Sequence, residues 1–124
     1  MSFLKLGVSA ALVRTLTQNG ITEPFPIQSA SIPDAISGRD ILGRGQTGSG
    51  KTLAFGLALL TRLADRKAAP NKPLALILSP TRELAMQITD VIGDLAPVVG
   101  LNAQVVVGGL SYQKQQQALR RGVA

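Results

Sequence analysis

The order of apolar and polar positions predicts two helices in the first part of the chain. The first spans residues 9–19, and its apolar stripe consists of side chains at helical spacing: Leu12, Val13 and Leu16. Ser9 is placed to cap this helix and Gly20 to end it. Pro26 opens a second helix, because proline is well tolerated at a first helical position. We expect Pro33 to interrupt or kink that second helix.

Further along the chain, short apolar runs alternate with helical patterns. Three runs are predicted to be strands: residues 41–43, 74–79 and 103–107. A predicted helix follows each run, and these helices cover residues 53–63, 84–95 and 111–121. With right-handed crossovers, this β-α-β-α-β-α order predicts a three-layer α/β fold with a mainly parallel sheet. Ligands of such folds bind at the carboxyl ends of the strands.

The segment between the first predicted strand and its helix has the spacing of a phosphate-binding loop. Residues 45–52 read Gly-Gln-Thr-Gly-Ser-Gly-Lys-Thr, which fits the pattern G-x-x-x-x-G-K-[ST]. Glycines let backbone N–H groups wrap around a polyphosphate at the positive end of a helix dipole. The alternative, an ordinary glycine-rich turn before a helix, does not explain the Lys-Thr pair. We therefore expect a nucleoside-triphosphate site that includes Gln46, Thr47, Gly48, Ser49, Gly50, Lys51 and Thr52.

Two residues of this loop are the candidate catalytic groups. Lys51 would supply positive charge to the β- and γ-phosphates. The hydroxyl of Thr52 would be a ligand for Mg²⁺.

Composition narrows the chemistry that the chain can perform. It contains no cysteine and no histidine, which excludes thiolate and histidine-based sites and suits a cytoplasmic protein. No run approaches the roughly 18 apolar residues that a membrane span needs, so no membrane association is expected. The net charge of +6 favours phosphate-rich partners, although a solvated helix face explains it equally well.

Four short motifs follow one another along the chain. They are the segment from Phe3 through Gly20 to Gln28, the loop at residues 45–52, the Pro-Thr-Arg-Glu-Leu-Ala-Met-Gln stretch at residues 80–87, and the pair Gly108–Gly109. Together they resemble the opening motifs of the DEAD-box ATP-dependent RNA helicases. The resemblance covers nearly the whole chain. It implies a partial RecA-like ATP-binding domain at residues 40–124, preceded by a helical segment at residues 1–39.

The resemblance implies an adenine-binding role for three residues. Gln28 would read adenine with its amide, which favours ATP over GTP. Phe3 would help to wall the adenine pocket, and Ile21, where the family usually has an aromatic residue, would pack on the base. Phe25 stands where the family has Ser or Thr. On spacing alone, Gln28 is a helix-surface amide and Phe3 packs against the first helix.

The resemblance also implies an RNA-binding surface. The residues that would hold the RNA backbone are Pro80, Thr81, Arg82, Gly108 and Gly109. Backbone contacts bind RNA without reading its sequence. Because each of these segments follows a predicted strand, we expect them to share one edge of the sheet with the phosphate loop.

Segments that hydrolysis needs in this family do not occur in the sequence. They are an Asp-Glu-Ala-Asp segment, which holds Mg²⁺ and orients water, a Ser-Ala-Thr segment, and a second RecA-like domain. We therefore expect part of an ATP-dependent RNA helicase, inactive alone. Two alternatives stay open. The chain could be a truncated protein that binds ATP or RNA without hydrolysis, or it could belong to another P-loop nucleoside triphosphatase such as a DNA helicase. A sheet without its central strands would leave unpaired backbone groups and exposed apolar faces, so we also expect the chain to be marginally stable or to aggregate.

Overall fold

The computed structural model describes residues 2–108 and 112–124. The helical elements in these ranges are α1 (Ala10–Gln18), α2 (Pro26–Ile36), α3 (Lys51–Leu63), α4 (Arg82–Leu95), a 3₁₀ turn (Ala96–Val99) and α5 (Tyr112–Arg121). The helices predicted from periodicity are therefore confirmed, with shifts of one or two residues at their ends. No helix in the described ranges is both long enough and apolar enough to cross a membrane.

Two local predictions about helices need correction. Ser9 lies at the N-cap position of α1, but its side chain makes no capping hydrogen bond. Its backbone N–H instead donates to Thr61 Oγ1 at 3.2 Å, which joins the start of α1 to α3. Pro33 does not interrupt α2, which continues to Ile36. Because Pro33 lies in the last turn, its missing N–H removes only the helical bond to the Ser29 carbonyl.

The chain divides into two compact units, Met1–Ala64 and Asp65–Ala124. In the first unit, α2 packs against α3. The largest fully buried side chains all belong to this unit: Phe3, Leu12, Leu16, Ile32 and Leu57. Burying each contributes roughly 1.5–3 kcal/mol of transfer free energy, so this core fixes the start of α3, where the phosphate loop ends. The domain boundary predicted after residue 39 stays a prediction.

The second unit contains α4, the 3₁₀ turn and α5. Its buried apolar side chains are Ile92, Leu95, Ala96, Val99, Leu101 and Ala118. The carboxamide of Asn102 donates to the Gly122 carbonyl at 3.3 Å and accepts from the Ala124 N–H at 3.2 Å. The Ala124 carbonyl in turn accepts from the N–H groups of Leu74 and Ala75, each at 2.8 Å. These bonds hold the start of the apolar run at residues 74–79 in place.

The three apolar runs predicted to be strands do not form strands. Residues 41–43, 74–79 and 103–107 have no ladder partner, and the bridge found among the described residues joins Ala69 to Lys72. A strand exists only beside a neighbour that satisfies its N–H and C=O groups, and within the described part of the chain each run is left without one. The side chains left most exposed are Leu42 (92%), Leu76 (81%) and Leu78 (84%).

This exposure leads to a prediction about solubility. We expect the double substitution Leu76→Lys, Leu78→Lys to suppress self-association of the 124-residue chain, because charge on an exposed apolar run blocks edge-to-edge pairing. The free energy of unfolding should change by only about 0.5 kcal/mol, since neither side chain is buried. Light scattering over a concentration series and urea unfolding check both parts.

The matched control is Leu57→Lys, which places the same charge at a fully buried position. It should unfold the chain, because burying an ammonium group is very costly. Unchanged scattering by the double variant would contradict the proposed origin of self-association.

Candidate functional site

The phosphate loop leads directly into α3, whose first residue is Lys51. Gly50 lies at the N-cap with φ +88°, a left-handed conformation that side chains other than glycine adopt at a cost. A Cβ at Gly50 would also lie 2.5 Å from Gln28 Nε2 and 2.8 Å from Phe25 Cδ2. Glycine is therefore required here twice, by the backbone turn and by the close approach of the start of α2.

The inside of the loop carries an unsatisfied hydroxyl. Ser49 Oγ is buried and has no hydrogen-bond partner among the described residues. A Cβ at Gly45 would lie 2.5 Å from this oxygen, so the loop closes tightly around it. The Lys51 ammonium donates to the Gly45 carbonyl oxygen and thus crosses the loop. A buried O–H without an acceptor costs free energy, and a phosphate oxygen would relieve that cost.

Gln28 connects α2 to the phosphate loop. Its side chain is only 2% exposed. Oε1 accepts from the Phe25 N–H at 2.8 Å, and Nε2 donates to the Gly50 carbonyl at 3.1 Å. A carboxamide has two donor hydrogens and two acceptor lone pairs, so each end of Gln28 keeps one for a further partner. The structure thus places Gln28 beside the loop and gives it a bracing role. Its amide is almost as fully covered as Phe3, so the predicted adenine role requires the groups that cover Gln28 to move when a base binds.

The other residues predicted to bind nucleotide differ in exposure. Phe3 is 1% exposed and lies in the core, so it offers almost no surface to a ligand, while Ile21 is half-buried. Gln46, Thr47 and Gly48 are exposed at the loop tip. The adenine and phosphate roles of all these residues stay predictions.

The predicted Mg²⁺ ligand Thr52 is half-buried, one residue into α3. In residues 2–108 and 112–124, no group of three or more Asp, Glu, His or Cys side chains is placed to hold a metal ion. A Mg²⁺ ion here would depend on one hydroxyl, on phosphate oxygens and on water, a donor set that this hard cation accepts.

The predicted RNA-binding residues meet within the second unit. Thr81 caps α4, its Oγ1 accepting from the Leu84 N–H at 3.1 Å. The next residue, Arg82, donates from Nη1 to the Gly108 carbonyl at 2.8 Å. Pro80, Thr81, Arg82 and Gly108 are all exposed. Gly109 lies outside the described residues, and the shared edge with the phosphate loop stays a prediction because that loop belongs to the other unit.

One polar residue of this region was missed by the sequence reasoning. Gln115 is buried in α5 and bonds the backbone of Val107, just before Gly108. In the sequence it is the first of three consecutive glutamines, and nothing in composition separates it from the other two. Its position three residues before the buried Ala118 places both on one helical face, which is the signal that could have found it.

Comparison with known families decides the affiliation of the chain. The model of the DEAD/DEAH box helicase family matches residues 25–124. The chain belongs to this family. Among curated DEAD-box relatives, DEAD-box ATP-dependent RNA helicase 3A, chloroplastic, from Zea mays is 43% identical over 128 aligned positions, covering 99% of this chain and 17% of the relative. The ATP-dependent RNA helicase dbp3 of Aspergillus niger is 46% identical over 114 positions, which cover 90% of this chain and 23% of that relative. The chain therefore spans about a fifth of the length of these relatives.

Solved structures of the family confirm the fold class. The RNA-helicase Prp28 from Chaetomium thermophilum, bound to ADP, superposes with a TM-score of 0.88 at 40% identity, covering 98% of this chain and 30% of Prp28. A DEAD box protein from Methanococcus jannaschii gives a TM-score of 0.83 at 30% identity, and the match covers 99% of this chain and 33% of that protein. The DEAD-box resemblance and the partial RecA-like α/β fold are thus confirmed, although the described residues contain no formed strand.

Proposed function

We propose that this chain takes part in an ATP-dependent RNA helicase, where it provides the ATP-binding surface and part of the RNA-binding surface. The observation that carries the proposal is the loop at residues 45–52, with its buried, unpartnered Ser49 hydroxyl at the N-terminus of α3. The relatives named as ATP-dependent RNA helicases and the ADP-bound Prp28 structure support it. Unwinding of RNA coupled to ATP hydrolysis is the activity proposed for the protein as a whole.

Phosphate binding would use three features of the loop. The backbone N–H groups at the start of α3 face the ligand with the positive end of the helix dipole. The Ser49 hydroxyl would donate to a phosphate oxygen. The Lys51 ammonium would exchange its bond to the Gly45 carbonyl for one to the β- and γ-phosphates, a charge-assisted and therefore stronger hydrogen bond.

Magnesium fits this site as a companion of the phosphates. It would be held by the Thr52 hydroxyl and by phosphate oxygens, and when bound it neutralises charge on the phosphate chain. Thr52 lies in the first turn of α3, directly after the loop.

Base recognition is proposed for Gln28. Its amide uses one N–H on the Gly50 carbonyl and one lone pair on the Phe25 N–H. The N–H and the lone pair that remain match the adenine edge, which both accepts and donates. Because the same amide bonds the Gly50 carbonyl, an adenine held by Gln28 would lie next to the phosphate loop. Occupation of the base and of the phosphates would therefore be linked through one side chain.

RNA would be held by the exposed cluster of Thr81, Arg82 and Gly108. Arg82 donates one of its five guanidinium N–H groups to the Gly108 carbonyl. Because the guanidinium is planar and rigid, this bond also fixes the directions of the other N–H groups. Such a fork suits an RNA phosphate, which it binds without regard to base sequence.

The proposal is tested through the base preference. We expect the 124-residue chain to bind a fluorescent ATP analogue that ATP displaces better than GTP, and we expect Gln28→Ala to reduce this preference roughly 5- to 30-fold, the equivalent of one or two hydrogen bonds. Competition titrations with ATP and GTP in the presence of Mg²⁺ measure it.

Gln18→Ala is the matched control, since Gln18 is exposed at the end of α1 in the same unit. It should leave the preference unchanged. Equal displacement by ATP and GTP in the unsubstituted chain would contradict the adenine role of Gln28.

A further inference from the structure

The backbone beside Gly108 is held by a buried glutamine. Gln115 is 7% exposed, although α5 is otherwise a polar helix. Its Oε1 accepts from the Val107 N–H at 3.2 Å, and its Nε2 donates to the Val107 carbonyl at 3.1 Å. One side chain thus satisfies both backbone groups of a single residue, as a neighbouring strand would.

This pairing fixes one position of the backbone. Val107 belongs to a run that has no strand neighbour, so its N–H and C=O would otherwise depend on water. A buried amide is tolerated only when it is hydrogen-bonded, so the two bonds and the burial of Gln115 depend on each other. Gln117, two residues along the same helix, is exposed.

A second side chain holds the next residue from another helix. Arg82, at the start of α4, donates to the Gly108 carbonyl at 2.8 Å. Val107 and Gly108 are therefore clamped by side chains of two helices, and we call Gln115 and Arg82 the backbone clamp. Gly108 is exposed, and a Cβ built on it would meet no described atom within 4 Å. Packing within the described chain therefore does not require glycine there, whereas close approach of an outside group would.

We infer that Gln115 is a positioning residue for RNA binding: through the backbone clamp it holds Val107 and Gly108 so that the exposed glycine backbone and the Arg82 guanidinium meet the RNA sugar-phosphate backbone together. This inference rests on the proposed RNA-binding function of Arg82 and Gly108. Gln115 itself does not touch RNA. Its effect is to keep two contacts in fixed relation, which lowers the entropy cost of forming both.

The test uses Gln115→Met, which keeps the length and removes both hydrogen bonds, and Gln115→Glu, which keeps the acceptor but loses the donor at neutral pH. Gln117→Met is the control for the same chemical change on an exposed face of α5. Three quantities are measured on the 124-residue chain: affinity for a fluorescent oligouridine, affinity for the fluorescent ATP analogue, and amide hydrogen exchange at Val107.

We expect Gln115→Met to weaken oligouridine binding about tenfold and Gln117→Met to leave it unchanged. Gln115→Glu should weaken binding at least as much as Gln115→Met, because its carboxylate is costly to bury and one of its oxygens would face the Val107 carbonyl oxygen. ATP-analogue affinity should be unchanged in all three variants, because the phosphate loop is in the other unit. Exchange at Val107 should speed up in both Gln115 variants and stay unchanged in Gln117→Met.

Several outcomes would overturn the inference. Oligouridine binding by Gln115→Met equal to that of the unsubstituted chain, with faster exchange at Val107, would show that the clamp exists but does not serve RNA. Equal losses of RNA and ATP-analogue affinity would show a merely structural role. Failure of the unsubstituted chain to bind oligouridine at all would instead refute the proposed RNA function on which the inference rests.

Discussion

Lys51→Ala should remove most of the ATP affinity of the chain, weakening binding of the fluorescent ATP analogue by roughly 10- to 100-fold, the equivalent of one or two charge-assisted hydrogen bonds. The structure gives the reason. The Lys51 ammonium crosses the loop to the Gly45 carbonyl, so it lies at the loop where the phosphates are proposed to bind. Titration at two salt concentrations measures both the affinity and its ionic part.

Lys5→Ala is the control for this prediction. Lys5 is exposed in the same unit, and both substitutions lower the net charge by one. A general electrostatic attraction between a basic chain and a polyanion would weaken equally in both variants. Loss in Lys51→Ala alone assigns the effect to the loop, whereas equal loss in the two variants would contradict it.

The phosphate loop and the helices could be predicted because their determinants are contiguous. The Gly-Lys-Thr end of the loop, the apolar spacing behind it in α3 and the proline at the start of α2 each act within a few residues. For Gln28, spacing alone predicts a helix-surface amide, which is wrong because its side chain is 2% exposed, and only the family resemblance singled it out.

The predictions that failed or fell short depend on distant neighbours. An apolar run such as residues 74–79 has the composition of a buried strand, but whether it becomes one depends on a neighbour that the run does not encode. The bonds from Gln28 to Gly50, and from Gln115 to Val107, join segments that no local pattern relates. The sequence shows that these residues are glutamines, which can form such bonds. Only the structure shows which backbone atoms each carboxamide bonds.

The second large effect concerns the close contact between α2 and the loop. We expect Gly50→Ala to destabilise the chain by roughly 2–5 kcal/mol, combining about 1–2 kcal/mol for a left-handed alanine with about 1–3 kcal/mol for overpacking. The added Cβ would lie 2.5 Å from Gln28 Nε2 and 2.8 Å from Phe25 Cδ2, so both contacts must be relieved. Urea unfolding measures the loss.

Gly48→Ala separates the two contributions. Gly48 has φ +84°, close to the +88° of Gly50, but a Cβ there would meet no described atom within 4 Å. It should therefore cost only the backbone term, about 1–2 kcal/mol. Equal destabilisation by the two substitutions would contradict the contact between Gln28 and the loop.

Combining Gly50→Ala with Gln28→Ala tests whether the amide that braces the loop also recognises the base. Shortening Gln28 removes the nearest atom to the new Cβ, so part of the overpacking cost should be recovered and the two substitutions should be non-additive. The Phe25 contact at 2.8 Å persists, which limits the recovery. If Gly50→Ala alone also lowers the preference for ATP over GTP, the displaced amide is the adenine reader. An intact preference beside a large loss of stability would leave Gln28 with its bracing role alone.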